Sequence, residues 1–68
     1  MTKLELFLQT REIKPAKLAV SCGYSRQHLL RIRMGRMEPT RRCIKAVVVA
    51  CRRLAREQVS ASDLFDLE

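Results

Sequence analysis

An all-α fold is what this sequence predicts, as a compact single domain of five helices covering residues 1–68. Three observations carry that expectation. Only two glycines and two prolines interrupt the 68 residues. No alternation of apolar and polar residues, the pattern of a half-buried strand, persists along the chain. Apolar residues instead return at three- and four-residue spacing, as in Leu4, Phe7 and Leu8, which sets them on one side of a helix.

The first helix is expected over 3–11, followed by a short connection at 12–14 with Ile13 turned inward. Pro15 suits the first turn of a second helix, where its missing N–H has no partner to lose. That helix runs to about Cys22, and Gly23 ends it by taking the left-handed conformation a helix terminus needs. Ser25 is a good N-cap for a third helix over about 26–34, which stops at Gly35. After a loop at Arg36–Pro39, Thr40 caps a fourth helix reaching about Glu57, with Ile44, Val47, Val48, Cys51 and Leu54 inward. Ser60 or Ser62 then caps a short last helix bearing Leu64, Phe65 and Leu67.

Composition narrows the function classes. A chain this short buries only about 60% of the surface its unfolded form exposes, so its stability is modest. No segment approaches the roughly 20 apolar residues that span a bilayer, and the start lacks signal-peptide or transit-peptide character. A cytoplasmic protein without a membrane partner is expected. Cys22, Cys43 and Cys51 are an odd number with no close pair, which fits reduced core thiols better than disulfides. One histidine and no CxxC leave no expected metal site, and no cofactor is expected. Nothing pairs a nucleophile with a base nearby in sequence, and no enzyme is expected.

Charge says more. The net charge is +7. Residues 11–56 hold thirteen Lys or Arg against Glu12 and Glu38 alone, a net of +11. Residues 57–68 hold four acids and no base. A basic body of this kind attracts polyanions, and the acidic end is expected to face away from them.

The decisive segment is 15–34. Two helices joined by Cys22-Gly23-Tyr24-Ser25 form a helix-turn-helix. Ala19 permits close approach of the following helix, Gly23 supplies positive φ at the corner, and Leu18, Leu29 and Ile32 peg the two helices together. At about 100° per residue, Leu29 and Ile32 fall on one side of the third helix. Gln27, Leu30 and Arg31 fall on the other, flanked by Arg26 and His28. Arg pairs bidentately with guanine, Gln with adenine, and Leu meets a thymine methyl. Arg26, Gln27, His28, Leu30 and Arg31 are therefore the candidate base readers of double-stranded DNA. The bland readings are a lone exposed leucine for Leu30 and a cap or phosphate contact for His28. Most protein–DNA hydrogen bonds go to phosphate, so the remaining bases are candidate clamps, namely Lys14, Lys17, Arg33, Arg36, Arg41 and Arg42, with Ser25.

The run from Leu18-Ala19 through Gly23, Ser25-Arg26, Leu29-x-x-Ile32, Gly35 and Pro39-Thr40 resembles the Cro/phage-repressor type of helix-turn-helix, the XRE family. Val59-Ser60-Ala61-Ser62-Asp63-Leu64-Phe65 is similar to that family's final helix. The resemblance covers nearly the whole chain. It implies a lambda-repressor-like five-helix domain, and a bacterial or phage-encoded transcriptional regulator associated with the nucleoid. It also implies operator binding as a homodimer on a pseudo-palindromic site, with phosphates gripped near the second helix start and after the third helix. Leu64, Phe65 and Leu67 are the expected dimer contact. Three departures stand out. Where the family often pairs an Arg of helix one with a Glu late in helix three, this chain has Leu8 and Arg33, so that bridge is expected to be absent. Arg33 is then free for Glu38 or a phosphate. The fourth helix is about a turn longer, and Arg41 and Arg42 open it.

Two other functions compete. One is the DNA-binding antitoxin of a toxin–antitoxin pair, with a toxin protein as additional partner. The other is a protein-interaction module on the same fold.

Overall fold

In a computed structural model, which describes residues 1–66, the chain opens on Thr2. The Thr2 hydroxyl accepts the Glu5 N–H at 3.1 Å and donates to the Arg33 carbonyl at 2.6 Å. One side chain thus caps the first helix, α1 (Lys3–Thr10), and ties it to the end of the third. α1 closes with a Schellman pair of bonds, Ile13 N–H to Leu8 C=O at 2.9 Å and Glu12 N–H to Gln9 C=O at 3.2 Å. Glu12 takes the left-handed position, at φ +55°, where glycine is the usual occupant.

α2 (Pro15–Cys22) follows with Pro15 in its first turn and ends at Gly23, φ +79°. α3 (Arg26–Arg33) starts at Ser25, whose hydroxyl accepts the His28 N–H at 3.0 Å. A second Schellman pair closes α3 around Gly35, φ +74°. α4 (Arg41–Ala55) is capped by Thr40, whose hydroxyl accepts the Cys43 N–H at 3.1 Å. α4 stops two residues short of the expected Glu57. Arg56 turns left-handed at φ +55°, and the Arg52 Nε donates to the Val59 carbonyl at 2.7 Å, holding the chain as it folds back. α5 (Ala61–Leu64) begins at Ser60, where the Asp63 carboxylate accepts the Ser60 N–H at 2.9 Å. All the described secondary structure is helical.

The core draws on every helix. Leu4 and Leu8 from α1, Leu18 from α2, Leu29 from α3, Val47 and Cys51 from α4 and Leu64 from α5 are each no more than 2% exposed, and no polar or charged residue is buried among them. α2 packs most extensively on α4, and the small side chains Ala19, Cys43 and Ala50 are buried in these two helices. The buried stripe of α4 is accordingly turned toward Cys43 and Ala50, while Ile44 and Leu54, expected inside, are only half-buried.

One expectation is corrected here. Leu64 is 1% exposed and seals the core, because a four-residue helix has a single apolar turn to commit, and this one packs on α1 and α4. Leu64 is not a contact available to a second copy. Phe65 is half-buried against the same core, and Leu67 lies outside the described residues.

Candidate nucleic-acid interface

α3 is anchored on one side and open on the other. Leu29 and Ile32 are buried, at 1% and 4% exposure, whereas Arg26, Gln27, Leu30 and Arg31 are exposed. The helix is 8 residues long, about 12 Å at the usual rise, so it presents two turns of side chains outward. None of these four side chains takes part in an intramolecular hydrogen bond or ion pair among the described residues. His28 differs from its neighbours. It is half-buried, and its ring stacks on Tyr24 with centroids 5.1 Å apart and planes 24° from parallel. Its amide, rather than its ring, completes the Ser25 cap. Tyr24 carries no charge or helix-face signal in the sequence, but its place in the turn four residues before His28 is the spacing that brings two rings together.

The ion pairs sort the basic residues. Arg33 donates from Nε to Glu5 Oε1 at 2.7 Å and from Nη2 to Glu5 Oε2 at 3.3 Å, with the two side chains only 13% and 14% exposed. The α1–α3 bridge expected to be missing is therefore present with its charges exchanged, and the acid comes from Glu5 rather than from position 8. Arg33 is not free for Glu38 or a phosphate. The Arg33 guanidinium, bonded to the carboxylate, holds Glu5 below the ordinary carboxylate range against the opposing effect of burial. The spacing Thr2-x-x-Glu5 signals a helix start, but Glu5 reaches across to α3 instead of back to Thr2.

The other two pairs lie at the acidic end. Arg11 meets Glu57 at 2.8 Å and Lys3 meets Asp66 at 3.3 Å. The Arg11 guanidinium also lies over the Phe7 ring, 4.1 Å from its centroid. Hydrogen bonding to Arg11 lowers the Glu57 pKa, and the Ser60 backbone N–H lowers that of Asp63. Lys14, Lys17, Ser25, Arg36, Arg41 and Arg42 are exposed, and none of the five cations among them meets a carboxylate in these pairs. α2 starts at Lys14 without a side-chain cap; Pro15 has no N–H and the Lys17 N–H already donates to the Lys14 carbonyl at 3.0 Å, so in the first turn only the Ala16 N–H is left for an oxygen ligand.

Among the described residues, no three His, Cys, Asp or Glu groups gather as metal ligands. Cys43 and Cys51 are buried, and burial raises both thiols, Cys51 to about 12. No described helix is long and apolar enough to cross a membrane. No protein-family profile, no curated protein and no solved structure matches this chain.

Proposed function

We propose that this protein is a sequence-specific double-stranded DNA-binding domain, a cytoplasmic transcriptional regulator of the Cro/repressor type that lays α3 in the major groove. The observation that carries the reading is the open face of α3: Arg26, Gln27, Leu30 and Arg31 exposed together, without internal partners, on a helix locked from behind by Leu29 and Ile32. Donors without internal partners, carried on a rigid helix, are available to base edges in the groove. His28, steadied by Tyr24, borders this row. Lys14, Lys17, Arg36, Arg41 and Arg42, with Ser25 and the start of α2, supply phosphate contacts that set register without reading sequence. The acids of residues 57–66 are engaged with Arg11, Lys3 and Ser60, which mutes their repulsion of a polyanion. One domain presents one such helix, about half an operator, and two copies on a pseudo-palindrome place two helices one DNA turn apart, near 34 Å.

Gln27→Ala and Arg31→Ala test the reading. Each is expected to remove a contact of roughly 1–3 kcal/mol at one base position, while thermal stability stays within about 0.5 kcal/mol because neither side chain faces the core. The measurement is a base-by-base affinity profile beside the parent, starting from a sequence selected out of a random duplex pool. Unchanged profiles for both variants would refute the placement of α3.

A further inference from the structure

The basic residues of α4 form a feature that base readout does not use. From Arg41 to Ala55 the helix holds five Arg or Lys and no acid. Arg41, Lys45 and Arg52 line a groove of about 570 Å³ between α4 and the start of α5. Its apolar residues are Ile44, Val48, Val49 and Ala61. Val49 is 41% exposed amid this charge. Arg41, Ile44, Lys45, Val48, Val49 and Arg52 recur at three- and four-residue spacing, so the groove follows the helix for about 16 Å, or three turns.

We propose that this groove docks a protein partner, through an acidic amphipathic helical segment whose apolar side covers Val49 and whose carboxylates meet Arg41, Lys45 and Arg52. The apolar floor and the cationic rim call for opposite halves of one ligand. A partner helix about three turns long, with apolar anchors at i, i+3 or i+4 and i+7 and acids beside them, supplies both. A DNA backbone satisfies only the rim and leaves Val49 uncovered. A second copy of the chain satisfies neither demand well. Face to face, it opposes like charges. Approaching with its acidic end, it brings Glu57, Asp63 and Asp66, which are already bonded to Arg11, Ser60 and Lys3.

The test uses the whole chain and three synthetic 14-residue helical peptides labelled with fluorescein. One carries Leu on one side and Glu on the flanks, the second replaces Leu with Ser, and the third replaces Glu with Lys. Only the first is expected to bind and to shift the methyl resonances of Ile44, Val48 and Val49. Val49→Ser and Lys45→Glu are each expected to weaken it about tenfold, the equivalent of roughly 1.4 kcal/mol. Both positions are exposed, so the melting temperature is expected to hold. No methyl shift up to about 1 mM of the first peptide would overturn the proposal. So would equal binding of the Ser peptide, or shifts of the Ile44, Val48 and Val49 methyls by random-sequence duplex as large as those given by the first peptide. Sedimentation showing that Val49 holds a second copy would overturn it as well. Gln27→Ala is expected to leave peptide binding untouched, and Val49→Ser to leave the duplex profile untouched. Failure here is thereby separable from failure of the DNA-binding reading.

Discussion

The ion pair between Glu5 and Arg33 is expected to contribute more to stability than its surface counterparts do. Its Nε–Oε1 distance is 2.7 Å, and the two side chains are 13% and 14% exposed. Two unit charges about 4 Å apart attract by roughly 4 kcal/mol at an effective dielectric of about 20. Desolvation of both groups takes back half or more of that. The net coupling is therefore about 1–2 kcal/mol, against a fraction of this for an exposed pair. Glu5→Gln keeps the volume and removes the charge, and a loss of about 1–2 kcal/mol lowers the melting temperature of so small a domain by roughly 5–15 °C. A double-mutant cycle with Arg33→Met, followed by circular dichroism melts, isolates the coupling. The pH dependence has a definite sign. The fold lowers the Glu5 pKa, so the stabilisation is complete above its unfolded value of about 4.3 and disappears as pH falls through the folded value. Glu5→Gln is expected to flatten the acid limb of the stability profile in that window and to leave the limb above neutrality alone. A coupling below about 0.3 kcal/mol, the usual error of additivity, would refute the reasoning.

Gly23→Val is expected to cost about 1–2 kcal/mol through backbone strain alone, because φ is +79° while a Cβ there would have open space around it; an unchanged melt would show that the corner relaxes freely. Affinity for duplex DNA is expected to fall with salt at a logarithmic slope of about −4.5 if Lys14, Lys17, Arg36, Arg41 and Arg42 each meet a phosphate, and Arg42→Ala to reduce it by about one unit; a flat salt response would exclude a phosphate-bound complex. At pH 8, iodoacetamide is expected to modify half-buried Cys22 first and to spare Cys43 and Cys51 until the chain unfolds, since burial raises the thiol of Cys51 to about 12; equal rates for Cys22 and Cys51, followed by mass spectrometry, would contradict the packing of α4.

The helices were legible in the residues because their limits are local. Ser25 and Thr40 cap the helices they precede, Gly23 and Gly35 take positive φ, and Pro15 opens α2, each effect acting over three or four residues. The open face of α3 was legible for the same reason, since helical geometry separates Gln27, Leu30 and Arg31 from Leu29 and Ile32 whatever the rest of the chain does. Tertiary packing alone decided the matters of distant partnership. Glu5 and Arg33 are 28 residues apart, and the choice of Arg33 for a carboxylate over a phosphate depends on how α1 crosses α3. Periodicity showed that Leu64 is apolar but not which neighbour it would cover; a short α5 lying on α1 and α4 consumed it in the core. The stripe of α4 rotated toward Cys43 and Ala50 because close packing rewards small side chains at a contact, a preference set by the partner surface and absent from the helix's own sequence.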